Sequence, residues 1–155
     1  MVLAFILLVI SSCKESPTGT STGLTEFPEV RTTQTNYSQG DIYLRVPDTA
    51  LFNRFNRVYS GKYSDELKAL LVDHIVGRAR ELGFSENESR ECLHCTGQLE
   101  SGVISLPYLA ERARYDSTDA WIYEFTWGPY KDLGHYRCFV MGALTHDTLL
   151  YITCR

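Results

Sequence analysis

Hydrophobic and polar residues follow two different periods along the chain. Between residues 48 and 83 the apolar positions recur every three or four residues, which is the period of an amphipathic helix. From residue 102 onward the period changes to two, which is typical of β-strands. Helices followed by an antiparallel meander predict an α+β fold, with two or three N-terminal helices packed on one face of about four strands.

The predicted elements have recognisable start and stop signals. Asp48, Ser64 and Ser85 are good N-cap residues, and Gly83 is a stop signal. Pro107 indicates an edge strand or a bulge. The predicted helices lie at 48–59, 64–83 and 85–95, and the predicted strands lie at 41–47, 102–115, 120–128, 135–141 and 149–154.

The first 12 residues, MVLAFILLVISS, contain a short apolar run. This run is far shorter than the roughly 20 apolar residues that a membrane-spanning helix needs. It has the length of the apolar region of a signal peptide, although no Lys or Arg precedes it. Residues 1–12 are therefore predicted to be a signal peptide.

The four residues Ile10-Ser11-Ser12-Cys13 resemble the lipobox of bacterial lipoproteins. That pattern is a branched aliphatic residue, two small residues and the cysteine that takes the lipid. The resemblance implies that Cys13 is lipidated and attaches the protein to a membrane. Lys14 follows, where an Asp would favour retention at the inner membrane. By resemblance, a bacterium with two membranes would hold this protein at the outer membrane, facing the periplasm.

Composition changes abruptly after the lipobox-like cysteine. Residues 13–40 are rich in Ser, Thr, Gly and Pro, with few bulky aliphatic residues, so we expect a flexible tether. Residues 41–155 are then predicted to form a single domain. The formal net charge of −4 argues against a protein that binds nucleic acid.

Four cysteines remain if lipid occupies Cys13, and an even number in an exported domain indicates two disulfides. Three pairings are open. A hairpin centred near His146 would place Cys138 opposite Cys154 and leave Cys92 to bridge Cys95. We favour the alternative, in which both helical cysteines are joined to the two strand cysteines, because it needs no strained local ring. The predicted disulfide residues are Cys92, Cys95, Cys138 and Cys154.

Other chemistry of the Cys92-Leu93-His94-Cys95 segment is less well supported. The segment is similar to the C-x-H-C centre of periplasmic thioredoxin-like oxidants, but those place the pair at the start of a helix, whereas here it lies near a helix end. A zinc ribbon needs a second close cysteine pair, which the chain lacks. We predict neither a metal nor a cofactor.

Two further groups of residues are candidate sites. Alternation along strand 120–128 places four aromatic side chains on one side, either as sheet core or as an exposed binding face for glycan, peptide or protein. These residues are Trp121, Tyr123, Phe125 and Trp127. Separately, Asp132, His135 and Glu124 could form an acid–base pair or cluster, although turns and strand edges often carry such residues without function.

No nucleophile elbow, zinc-protease motif or phosphate-binding loop is present in the sequence. The sequence therefore favours a non-catalytic binding or scaffolding module of the cell envelope, with an envelope protein or a glycan as partner. One alternative is a thiol–disulfide oxidoreductase that uses Cys92 and Cys95. Another is an accessory subunit of outer-membrane assembly, because helices followed by a meander are loosely similar to the small lipoprotein of the β-barrel assembly machine.

Overall fold

The computed structural model describes residues 26–45, 47–98, 103–129 and 132–153. The predicted signal peptide, Cys13 and Cys154 lie outside these residues. The described elements are β1 (Glu29–Tyr37), α1 (Gln39–Tyr43), α2 (Thr49–Tyr59), α3 (Asp65–Glu81), α4 (Glu86–Gln98), β2 (Ile104–Tyr115), β3 (Thr118–Gly128), β4 (His135–Gly142) and β5 (Thr148–Thr153).

Local capping interactions determine where two of the three longer helices, α2 and α3, begin. The Asp48 carboxylate accepts a hydrogen bond from the backbone N–H of Leu51 at 3.0 Å at the start of α2. The Ser64 hydroxyl accepts one from the N–H of Leu67 at 3.1 Å at the start of α3. These bonds satisfy N–H groups that have no partner inside the helix. The predicted helices at 48–59, 64–83 and 85–95 are confirmed, and no helix among the described residues is long and apolar enough to cross a membrane.

The short helix α1 replaces the strand that we predicted at 41–47, so that prediction is wrong. A reciprocal capping box explains the difference. The Asp41 carboxylate accepts from the Ser38 backbone N–H at 2.7 Å, and the Ser38 hydroxyl accepts from the Asp41 N–H at 3.3 Å. Ile42 is the buried residue of this helix.

The five strands form one sheet in the order β1-β2-β3-β4-β5. Strands β2 to β5 make an antiparallel meander, and β1 pairs with β2 in parallel. The register shifts between Pro107 and Leu109, as expected of a bulge. Asp116 and Ser117, both with positive φ, form the tight turn between β2 and β3. The mixed α/β class is confirmed, but the helices lie between β1 and β2 rather than before the whole sheet.

Strand β1 lies inside the segment that we predicted to be a tether. Val30 and Arg31 align with Ala110 and Glu111 of β2, so residues 29–37 are part of the sheet. The predicted boundary at residue 40 is therefore wrong for residues 26–40, while residues 13–25 lie outside the described part of the chain. The strand has a tether-like composition because it is an edge strand whose residues are mostly exposed.

Helices cover both faces of the sheet, which corrects the prediction that they pack on one face. We call the side that carries Glu111, Ile122, Glu124 and Cys138 the polar face, and it is covered by α1 and α2. We call the opposite side, covered by α3 and α4, the aromatic face; its central residues are Trp121, Tyr123, Phe125, Phe139 and Met141. Both alternating sets of β3 are buried, which requires cover on both sides.

Candidate functional site

Two glutamates are buried at the centre of the polar face. Glu111 lies on β2 and Glu124 on β3, and their side chains are only 1% and 2% exposed. An ionised carboxylate at such depth is costly unless charges and hydrogen bonds compensate it. The contacts of these two residues therefore define the site.

Glu111 accepts four hydrogen bonds from three side chains. Its Oε2 atom lies 2.9 Å from Nε and 2.8 Å from Nη2 of Arg31, and 2.7 Å from Nη2 of Arg45. Its Oε1 atom accepts from the Tyr37 hydroxyl at 2.8 Å. Three hydrogen bonds thus converge on Oε2 and one reaches Oε1, and together they compensate the burial of the carboxylate.

Arg45 connects the two carboxylates. While its Nη2 donates to Glu111, its Nε lies 2.5 Å from Oε1 of Glu124. Oε2 of Glu124 accepts from the Tyr108 hydroxyl, also at 2.5 Å. The Arg45 side chain is 10% exposed and lies just beyond α1, so the capping box that forms α1 also positions this guanidinium. We call Arg31, Tyr37, Arg45, Tyr108, Glu111 and Glu124 the charge network.

The network keeps Glu111, Tyr37 and Tyr108 in fixed protonation states. Burial alone would raise the pKa of Glu111, but hydrogen bonds and charge from Arg45, with help from Arg31 and Tyr37, hold that pKa below its ordinary value. Burial and the charge of Glu124 raise the pKa of Tyr108, and burial with the hydrogen bond to Glu111 raises that of Tyr37. Glu111 thus stays ionised and both tyrosines stay protonated at neutral pH.

An open cavity of about 530 Å³ lies over the charge network. Arg45 and Glu124 form part of its wall, while Arg31 at 43% exposed and Leu44 at 82% exposed reach solvent. Its lining residues are Arg31, Tyr37, Asp41, Leu44, Arg45, Asp48, Leu109 and Glu124. The volume is within the range of about 300–1,000 Å³ that is typical of small-molecule sites. Fixed donors and acceptors beside such a cavity are suited to recognition.

The predicted acid–base cluster is not assembled. Glu124 points to the polar face and binds Arg45 and Tyr108, whereas His135 packs against Trp127 with ring centroids 4.9 Å apart. Trp127 lies on the opposite face of β3 from Glu124, and His135 is its partner on β4. Glu124 and His135 therefore lie on different sides of the sheet. Asp132 lies in the loop before β4. Among the described residues, no group of three His, Cys, Asp or Glu side chains could hold a metal ion.

The aromatic residues of β3 form core rather than an exposed platform. Trp121 and Tyr123 are fully buried and Phe125 is 1% exposed. The Trp121 indole N–H donates to Glu88 of α4 at 2.7 Å, which ties that helix to the sheet. Trp127 is half-buried at the strand end, with the Arg137 guanidinium 4.2 Å from its ring centroid. The predicted binding face is therefore wrong for the first three residues.

Three of the predicted disulfide cysteines are described, and all three carry free thiols in this structure. Cys92 is packed on the aromatic face, whereas Cys138 lies on the polar face. A bridge between these two would have to pass through the sheet, so the helix-to-sheet pairing that we favoured cannot include it in this fold. Cys95 is half-buried.

The strand register also differs from the hairpin that we considered. Cys138 lies opposite Ile152 rather than Cys154, so the hairpin is not centred on His146. Burial, with the nearby Glu88 charge, raises the pKa of the Cys92 thiol to about 12. Burial, with Glu124, raises that of Cys138 to about 12 as well. Neither thiol is activated as a nucleophile, since reactive cysteines have lowered pKa values.

Comparisons with protein-family models, with curated proteins and with solved structures found no match to this chain. The functional argument therefore depends on the residues of the charge network. Sequence reasoning identified Glu124 but missed Arg31, Arg45 and Glu111. The signal that could have found the site is a single charged residue within the otherwise uncharged strand sequence AWIYEFTWG.

Proposed function

We propose that this protein is a lipid-anchored component of the bacterial cell envelope, and that it binds a ligand in the cavity of the polar face without turning it over. Cys13 would carry the lipid, and Lys14 would direct the protein to the outer membrane facing the periplasm. The sequence Ile10-Ser11-Ser12-Cys13 supports the anchor. The observation that carries the binding function is the charge network beneath an open cavity.

Recognition suits this geometry better than proton transfer does. A general acid or base works best with a pKa near the operating pH. Glu111 has a lowered pKa and already accepts four hydrogen bonds, so it is a poor base. Groups held rigidly by their neighbours are, in contrast, what a specific binding site needs.

In-cell photocrosslinking tests the binding function. A benzoylphenylalanine residue at Leu44, 82% exposed at the cavity, should form an adduct in membranes of the producing bacterium. The same residue at Leu144, which is 81% exposed outside the cavity lining, is the matched control. An adduct at Leu44 that is lost with Arg45→Lys supports binding in the cavity. Equal labelling at both positions, or none at either, contradicts it.

The anchor is tested separately by intact mass and membrane fractionation. The wild-type protein should carry the mass of a lipid on its N-terminal cysteine and sediment with membranes. Cys13→Ser should abolish both properties. A wild-type chain that lacks lipid mass and stays in the soluble fraction would contradict the anchor.

The two alternative functions gain less support. A thiol oxidoreductase needs an accessible thiolate, whereas Cys92 is fully buried and burial raises its pKa to about 12. The accessory role in outer-membrane assembly was based on helices that are followed by a meander. The parallel strand β1 and the helical cover on both faces depart from that arrangement.

A further inference from the structure

We infer that the cavity of the polar face takes a neutral, polyhydroxylated ligand, namely a sugar ring of a glycan, which hydrogen-bonds to Arg45 and Glu124. This inference deepens the proposed binding function and depends on it. It is argued from the unused hydrogen-bonding capacity of the site, from the charges that surround the cavity and from its apolar surface.

The unused capacity at the cavity wall is one donor group beside one acceptor group. Nε and Nη2 of Arg45 donate to Glu124 and Glu111, while its Nη1 donates to neither carboxylate. Each oxygen of Glu124 accepts one hydrogen bond, from Arg45 or from Tyr108, which leaves one acceptor position on each. Arg45 and Glu124 both line the cavity, so it offers a ligand a donor group and an acceptor group on one wall. A hydroxyl group both donates and accepts, so adjacent sugar hydroxyls match this pair.

The charges favour a neutral ligand over an ion. Asp41 and Asp48 line the cavity in addition to Glu124, and Glu111 lies beneath it. These four carboxylates outnumber the two guanidiniums, so the surroundings have a formal charge of −2 and disfavour an anion. A cation that reached the wall would meet Arg45, which together with Arg31 already neutralises the two inner carboxylates, Glu111 and Glu124. A neutral ligand avoids both penalties.

The apolar part of the lining is compatible with the C–H surface of a sugar ring. Leu109 is 1% exposed at the cavity wall, and Leu44 is 82% exposed beside it. An exposed leucine next to buried charges has no packing role in the fold. Contact with a ligand would bury it and so contribute to affinity.

Three probes that share one ring test this inference directly. The full mature chain, held in detergent, is titrated with N-acetylglucosamine, which is neutral, with glucosamine, which is cationic, and with glucuronate, which is anionic. Binding is followed by saturation-transfer NMR. We expect N-acetylglucosamine to bind at least about threefold more tightly than either charged probe, with a Kd in the millimolar range that is usual for one sugar ring. The inference is overturned if a charged probe binds most tightly, or if no probe shows saturable binding at about 50 mM.

Variants separate the cavity from the rest of the surface. Arg45→Lys keeps the charge but removes the Nη1 group, so it should weaken N-acetylglucosamine about tenfold, the effect of one charge-assisted hydrogen bond. If that variant fails to fold, Leu44→Ala at an exposed position should still weaken binding severalfold, with Leu144→Ala unchanged. Equal affinity of Leu44→Ala and Leu144→Ala would contradict the site. Failure of all three probes alongside a specific Leu44 crosslink would leave the binding function standing and reject the sugar.

Discussion

Trp121 and Tyr123 stack on the aromatic face with ring centroids 5.8 Å apart, and α3 and α4 seal them from water. On the polar face, directly behind them in the sheet, Glu111 and Glu124 are equally buried but are held by Arg45. Both sides of the sheet bury an apolar cluster, but the polar face also buries two carboxylates and their arginine partner at its centre.

The difference has an energetic meaning. Burying aromatic rings stabilises a fold whatever the pH. Burying an ion pair costs desolvation free energy, which the attraction between the charges only partly recovers. Apolar residues of similar volume often stabilise a fold as well or better. A charge network beneath an open cavity is therefore better explained by recognition than by stability.

The largest expected effect comes from Arg45→Met, which removes the shared cation of the polar face. Glu111 and Glu124 would lose their common partner, and the free energy of unfolding should fall by about 3–5 kcal/mol. Urea denaturation measures this change. Arg31→Met is the matched control, because Arg31 contacts Glu111 from a position that is 43% exposed, and it should cost about 1 kcal/mol or less. Equal costs for the two variants would argue against Arg45 as the centre of the network.

Phe139→Leu probes the aromatic face with a smaller effect. Phe139 packs edge-on against Phe125, with centroids 5.5 Å apart, and is fully buried. Losing part of the ring should cost about 1–2 kcal/mol. Because no charge is involved, the cost should be the same at pH 7 and near pH 4. A loss of unfolding free energy that changes with pH would contradict the difference between the two faces.

The polar face, unlike the aromatic face, should contribute to stability in a way that depends on pH. The folded-state pKa of Glu111 lies below its ordinary value of 4.5, so its contribution is present above that value and is lost as pH falls through the folded pKa. Glu111→Gln should thus be less stable than the wild type near neutral pH. The difference between their free energies of unfolding should become smaller in acid. Unfolding free energies measured between about pH 7 and pH 3 would show it. A gap that widens in acid would contradict the assigned direction.

The smallest effect expected is on thiol chemistry rather than on stability. Half-buried Cys95 should be alkylated by iodoacetamide in the native protein at least about tenfold faster than Cys92 or Cys138, whose thiols are buried with pKa values raised to about 12. Mass spectrometry of native and unfolded samples without reductant measures the rates and locates any disulfide. A Cys92–Cys138 bridge would contradict the placement of these residues on opposite faces.

Local signals made the helices predictable. Asp48 and Ser64 are N-caps whose effect depends only on the next few residues, and the apolar period of α3 is apparent in one window of sequence. The alternation of apolar and polar residues predicted the strands of the meander in the same way. Strand β1 was missed because its pairing partner is about 80 residues away, and nothing within its own Thr-rich sequence indicates that partner.

The site was less predictable because it is assembled from distant segments. Glu124 was noticed, but it was paired with His135, since nearness along the chain does not tell which face of the sheet a side chain occupies. Arg45 was hidden in a segment that was interpreted as a strand. Only the packing of α1 against the sheet brings Arg45 to Glu111 and Glu124.

The most direct test of the account is to map where a neutral sugar binds, by two-dimensional NMR of the mature chain with N-acetylglucosamine. The account predicts shifts of the Leu44 backbone amide and of the Arg45 guanidinium, with no change in the Trp121 indole N–H on the aromatic face. Shifts centred on Trp121 and its neighbours, or no shifts at saturating sugar, would contradict the claim that the polar face is the binding site.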